Sequence, residues 1–209
     1  MSAPLKILGR PSSINVRKVL CTAEEAGLSF EHEAQWGTSE APTRSAEFMA
    51  LNPNALVPVL IDEAGAIWES NAICRYLCDR AGRADLFPAA PAARARIDMW
   101  MDWQATELNG AWRYAFMGLV RRHPDFSDRA SIAASAQNWN SMMRLLDRRL
   151  ADTGAFIAGE AFTLADIVVG LSAHRWRSTP IDHAPVPAVR DWLARLDDRE
   201  PFRRWTTFP

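Results

Sequence analysis

Cysteine is scarce in this 209-residue chain: there are three, an odd number. That argues against a disulfide framework and makes a reducing cytoplasm the expected compartment. Cys74 and Cys78 stand one helical turn apart, but no further Cys or His lies close to them in sequence. A four-ligand metal site is therefore not expected. They read, with Cys21, as small core or interface residues. His32, His123, His174 and His183 show no ligand spacing either. Net charge is also small: 24 Lys and Arg against 25 Asp and Glu leave -1. That gives no bulk attraction for nucleic acid or an anionic membrane. No apolar run approaches the length of a membrane span. The N-terminus lacks a basic region followed by an apolar run, so no signal peptide is expected. Internal repeats and low-complexity segments are absent.

What is present suits a globular core, with 48% hydrophobic residues and a length for one large or two small domains. Residues 5–8 read as a strand and 9–13 as a loop holding Gly9 and Pro11. Residues 15–26 read as a helix, with Val16, Val19, Leu20 and Ala23 on one face and Gly27 as its C-cap. Residues 30–34 give a second strand, parallel to the first by the right-handed crossover rule. A polar loop over 36–42 and a short helix over 45–50 follow. Residues 81–91 contain Gly82, Pro88 and Pro91 without periodicity, which marks a domain boundary. Beyond it no strand is expected. Helices are predicted over 94–120, bent near Asn109-Gly110, and over 128–151, 163–174 and 186–196. Residues 201–209 read as a tail packed by Phe202 and Trp205. Helix 163–174 is apolar nearly all round and should be buried. Thr163 and Asp166 form a capping-box-like pair, and Phe162 and Ile167 sit where a hydrophobic staple would.

The chain is organised around residues 51–73. Pro58 has no N–H to donate, so it belongs at the entry or edge of a strand. Val57, Val59 and Ile61 alternate with Pro58 and Leu60. A turn at Asp62-Glu63-Ala64-Gly65 and a returning Ala66-Ile67-Trp68 make a hairpin. Ser70 is placed to cap a helix that begins at Asn71. Extended backbone at Val57 can pair with a peptide-like ligand. A helix start at Ser70 suits a carboxylate, and Glu69 can accept from an ammonium group. The other reading of the stretch is simply a hairpin followed by a capped helix.

Val57-Pro58 followed by Glu69-Ser70 resembles the glutathione-binding half of the cytosolic glutathione transferases. Residues 5–8 followed by Ser12-Ser13-Ile14-Asn15-Val16-Arg17-Lys18-Val19 resemble that family's first strand and helix. Phe162-Thr163-Leu164-Ala165-Asp166-Ile167 resembles the capping motif of its second domain. The likeness spans nearly the whole chain. It implies a fold of α/β plus all-α type: a thioredoxin-like domain at 1–80, a linker at 81–91 and an all-helical domain at 92–209. It implies a cis Val57-Pro58 bond and glutathione as co-substrate, with no metal, nucleic acid or membrane partner. A cytoplasmic homodimer of detoxifying, theta-like type is expected, with Arg75, Cys78, Asp79, Arg94 and Asp98 at its interface.

In that family a Tyr, Ser or Cys of the first loop bonds the sulfur of glutathione. Here the candidates are Ser13, Ser12 and Asn15, and Ser13 matches the theta-like serine. Their other reading is as caps of the first helix. Val57, Pro58, Glu69 and Ser70 are expected to hold the tripeptide. A lysine common before the Val is Leu56 here, so Trp36 or Arg44 is expected to meet the glycine carboxylate. Asp102 is expected to reach the partner's glutathione. Trp112, Arg113 and Phe116 are expected to line the pocket for a small hydrophobic electrophile, though ordinary helix packing also accounts for them. The implied activity is glutathione conjugation. Disulfide or peroxide reduction by glutathione and a non-catalytic binding or stress role are its rivals.

Overall fold

Leu5, Ile7 and Leu8 are buried in the first strand while Lys6 faces outward between Glu31 and Glu33. This four-residue strand anchors everything before the linker. In the computed structural model, which describes residues 5–206, β1 (Leu5–Leu8) leads through a loop into α1 (Ile14–Glu25) and then β2 (Phe30–Glu33). Val16, Val19, Leu20 and Ala23 form the fully buried stripe of α1. Gly27 follows the cap Ala26 with φ +70, the left-handed position that glycine fills best. A short α2 (Ala46–Leu51) is capped by Ser45, whose Oγ accepts from Phe48 N. Then come β3 (Val59–Asp62), β4 (Gly65–Trp68) and α3 (Ser70–Arg80).

The sheet order is β2-β1-β3-β4. β1 runs parallel to β2, and β3 runs antiparallel to both β1 and β4. Val57-Pro58 is cis, as the resemblance implies. Trp36, expected in a polar loop, is drawn into a cluster with Leu8, Phe48 and Val59. Its indole N–H donates to Glu33 Oε2 at 2.9 Å, so the ring is buried with its polar atom satisfied.

The chain divides into two compact units, residues 1–89 with 200–209, and residues 90–199. The break falls inside the expected linker. The segment from Glu200, expected to end the helical domain as a tail, instead forms a helix that groups with the first unit. There, Arg17 Nη1 of α1 donates to the Trp205 carbonyl at 3.2 Å, and Arg204 meets Glu24 at 2.9 Å. Phe202 and Trp205 are buried as expected. Residues 1–4 and 207–209 of the expected domains lie outside the described residues.

The second unit is helical. It comprises α4 (Pro91–Trp103), α5 (Asn109–Leu119), α6 (Arg129–Thr153), α7 (Leu164–Ser178) and α8 (Pro187–Asp197), and the closing helix of the chain, in the first unit, is α9 (Glu200–Thr206). The long helix expected over 94–120 is interrupted by a π-helical turn at Gln104–Leu108, just before the expected bend. Gln104 is fully buried there, and its Nε2 donates to Asn109 Oδ1 and Ser172 Oγ, both at 2.9 Å. A wider turn resets which side chains face inward.

Buried α7 is fixed by Asp166. Asp166 Oδ2 accepts from the Thr163 N–H (2.9 Å) and hydroxyl (3.0 Å), and Oδ1 accepts from Ile157 N and Trp192 Nε1 at 3.0 Å. Burial pushes the Asp166 carboxyl upward, against these four donors. The ring contact of Phe162 is with Phe156, across 5.8 Å.

Candidate active site

One row of the sheet gathers the expected residues. Glu33 pairs with Leu8, Leu8 with Val59, and Val59 with Trp68. The chain leaves β1 after Leu8 toward Ser13, enters β3 through Val57-Pro58, and leaves β4 after Trp68 toward Glu69-Ser70. Three segments distant in sequence thus meet at one end of the sheet. Two strand spacings of about 4.8 Å separate Leu8 from Trp68, the strand ends that lead to Ser13 and Ser70. Their sum, about 10 Å, is the reach of an extended tripeptide.

The β1–α1 loop is held by its own backbone. Gly9 N donates to Glu33 O at 3.0 Å, Arg10 N to Trp36 O at 2.9 Å, and Ser13 N to Arg10 O at 3.0 Å. His32 Nε2 lies 2.8 Å from the Gly9 carbonyl and must carry the proton of that bond. Gly9 has φ +145, and a Cβ there would lie 2.5 Å from Val16 Cγ2 and 2.9 Å from Val57 Cβ. Glycine is required, because the loop rests directly on Val57.

Ser13 occupies the N-cap of α1 with extended backbone, but its side chain makes no capping hydrogen bond. The alternative reading of Ser13, as a cap only, loses its main support. Its hydroxyl is half-buried beside a helix start with no acidic residue in the first turn, so the positive end of α1 is not cancelled. Ser12 and Asn15 flank it, both half-buried.

Leu56, in the position of the absent lysine, is 62% exposed. The approach to Val57 is braced by Asn52, whose Nδ2 donates to the Leu56 carbonyl at 2.7 Å and whose Oδ1 accepts from Asn54 N at 3.0 Å. Of the two residues expected to replace the lysine, Trp36 is in the core and Arg44 is exposed. Arg10 was missed by sequence reasoning. Its Nη1 donates to the Gly37 carbonyl at 2.7 Å, and Gly37 is flanked by both Arg10 and Val57. The Gly9-Arg10-Pro11 run was the available signal.

The start of α3 differs from expectation. The helix begins at Ser70 and not at Asn71, and Glu69 is its N-cap with φ +70. A left-handed non-glycine residue costs about 1–3 kcal/mol and is characteristic of ligand clamps. The twist turns an exposed Glu69 out of β4 while Ser70, 7% exposed, opens the helix.

In the second unit, Trp112 and Phe116 lie one helical turn apart on α5 with rings 5.4 Å apart. Trp112 Nε1 donates to Asn109 Oδ1 at 2.9 Å. Arg113 does not join them: it is exposed, about 100° round the helix. Arg175 of α7 faces both rings, 4.6 Å over Trp112 and 4.2 Å over Phe116, and Arg121 also lies over Phe116 at 5.6 Å. Arg175 was hidden by the apolar reading of α7. Asp102 is exposed on the last turn of α4.

Burial pushes the Cys74 thiol to about 11 and that of Cys78 to about 12. Both are fully enclosed by their own chain, so Cys78 drops out of the expected interface. Neither can supply a thiolate near neutral pH.

The sequence profile of the glutathione S-transferase N-terminal domain matches residues 3–79, and that of the C-terminal domain matches 129–205. Glutathione S-transferase GstB of Escherichia coli K12 is 36% identical over 207 residues, covering 98% of this chain and 99% of GstB. Glutathione S-transferase 3 of Zea mays is 30% identical, over 97% of this chain and 93% of its own. The glutathione-bound crystal structure of a theta class glutathione S-transferase from Xanthomonas axonopodis pv. citri superposes with a TM-score of 0.91 at 37% identity. It covers 100% of this chain and 99% of its own. With a thioredoxin-like first unit, a helical second unit and full-length relatives on both, the chain belongs to the glutathione S-transferase family.

Proposed function

We propose that this chain activates the thiol of glutathione at Ser13 and conjugates the thiolate to small hydrophobic electrophiles. The observation that supports this is the single row Leu8-Val59-Trp68, whose strand ends lead to Ser13, Val57 and Ser70 at one end of the sheet. Backbone at Val57 pairs with the middle of the ligand. The α-carboxylate of the γ-glutamyl end takes the start of α3 at Ser70, and Glu69 accepts from its ammonium. Arg10 is the candidate for the glycine carboxylate.

The chemistry asks little of the protein beyond charge placement. The Ser13 hydroxyl donates to the sulfur and the α1 N-terminus stabilises its charge, while the thiol proton leaves to solvent. A fall of about two pKa units needs roughly 2.7 kcal/mol of preference for the thiolate. One charge-assisted hydrogen bond and a helix terminus are of that size. The thiolate attacks the electrophilic carbon, a C–S bond forms, and the leaving group departs with its electron pair. Trp112 and Phe116 are the proposed aromatic wall for the electrophile.

We further propose a cytoplasmic homodimer, with Arg75, Asp79, Arg94 and Asp98 at its interface and Asp102 directed to the partner's glutathione. The burial of all three cysteines suits a reducing compartment. The test is retention on glutathione-agarose, then initial rates with aryl halides, epoxides and disulfides. Conjugation of an aryl halide is expected. Turnover of disulfides alone would reassign the chain to reduction, and absence of saturable glutathione binding would sink both.

A further inference from the structure

Both ends of the β1–α1 loop are tied to one residue of the last helix. His32 stands opposite Ile7 in the β1–β2 register, so the two side chains leave the sheet on one face. Its Nε2–H donates to the Gly9 carbonyl at 2.8 Å, where the loop begins. The same ring meets the Trp205 ring of α9 edge to face, with centroids 6.3 Å apart. The Trp205 carbonyl accepts from Arg17 Nη1 at 3.2 Å, in a buried bond that spans 188 positions of sequence. Arg17 lies in the first turn of α1, and its N–H donates to the Ser13 carbonyl at 3.1 Å, where the loop ends. Gly9, His32, Trp205, Arg17 and Ser13 thus form a closed circuit.

The far side of the circuit is firmly seated. Trp205 is 7% exposed and Phe202, one helical turn earlier, is fully buried. Arg204 meets Glu24 of α1 at 2.9 Å. His32 carries that seating across to the loop. Gly9 rests directly on Val57, with no room for a methyl between them. A shift of the Gly9 carbonyl would therefore reach Val57 and Ser13 together. An aliphatic residue at position 32 would take this donor from the carbonyl and keep only the ring's bulk.

We propose that His32 and Trp205 are positioning residues for the thiol-activating loop, which they reference to the closing helix α9. The proposal rests on the reading of Ser13 as the group that meets the sulfur of glutathione. Neither residue touches the ligand; each acts through Gly9 and Ser13.

The experiment compares His32→Leu with His32→Gln, whose amide N–H₂ reaches about as far as the imidazole Nε2–H. In the ligand-free, ¹⁵N-labelled full-length chain, the amide signals of Gly9, Ser13 and Val57 should move in His32→Leu and return in His32→Gln. With glutathione bound, thiolate absorbance against pH should place the thiol pKa about one unit higher in His32→Leu, roughly a tenfold loss of thiolate at neutral pH, the size of one hydrogen bond. His32→Gln should restore it. Trp205→Ala should give the same rise, and the double variant no more than either alone, because both break one circuit. The proposal is overturned if the three amides stay in place in His32→Leu, or if His32→Gln behaves as His32→Leu. Both results stand even if Trp205→Ala fails to fold. A wild-type chain that binds no glutathione would remove the proposed function and leave the amides to decide on the brace.

Discussion

Ser13 holds the N-cap position of α1 while its hydroxyl makes no bond to the helix. Ser70 opens α3 at the other end of the same row. The two serines should therefore separate in experiment. Ser70→Ala is expected to weaken glutathione binding by about 1–3 kcal/mol in calorimetry, the range for a lost bond to a charged group. Ser13→Ala should bind nearly as well but raise the pKa of the bound thiol toward its free value. Its rate at neutral pH should fall by about one to two orders of magnitude, since a more basic thiolate is also more nucleophilic. An unchanged pH–rate profile would remove Ser13 from the role and pass it to Ser12 or Asn15. The cysteines give a second residue-scale prediction. Cys74 titrates near 11 and Cys78 near 12 when folded, against about 9 for an ordinary thiol. Between those values the unfolded chain has released protons that the folded chain keeps. Stability conferred by these thiols is therefore full below about pH 9 and lost as pH rises through the folded values. Urea midpoints should fall from pH 9 upward, and less steeply in Cys74→Ala. At pH 8 a thiol reagent should label none of the three cysteines until the chain unfolds.

The β1–α1 loop and the α3 start are the elements on which the site depends. Gly9→Ala would bring a methyl within 3 Å of both Val16 and Val57 in a left-handed backbone. Displacement of Val57 and a drop in glutathione affinity of at least tenfold are expected, with Leu56→Ala as a neutral control. A Gly9→Ala chain of wild-type affinity would show that the loop does not set the position of Val57. These elements also mark how far the sequence could be read. The strands, the cis Val57-Pro58 bond and the packing of Phe202 and Trp205 follow from local chemistry and motif. The left-handed Glu69 does not, because nothing in Trp68-Glu69-Ser70 demands it: tertiary pairing of β4 and docking of α3 impose it. The π turn at Gln104–Leu108 was legible only as a weak point near Asn109-Gly110, since Ser172, the partner that holds Gln104, lies 68 residues away. Trp36 misled because its neighbours are polar, whereas its burial depends on Phe48 and Val59. Arg175 was masked by the apolar residues around it.

At the scale of the whole molecule, a two-fold dimer predicts a sedimentation mass near twice the 23.4 kDa of the chain. A single-chain mass at micromolar concentration would count against it. The row Leu8-Val59-Trp68 carries a different consequence. The three stations of the proposed site flank β1, β3 and β4, so glutathione bound there would act as a strut across most of the sheet and would need the strands assembled. At a hundred times its dissociation constant such a ligand adds about 2.7 kcal/mol to the folded state. Melting of the first unit should shift upward with glutathione concentration and stay put with a tripeptide lacking the γ-linkage. In a cell that degrades unfolded chains, the amount of this protein would then rise and fall with the supply of its own co-substrate. Starvation for glutathione would shorten its lifetime before any gene responds.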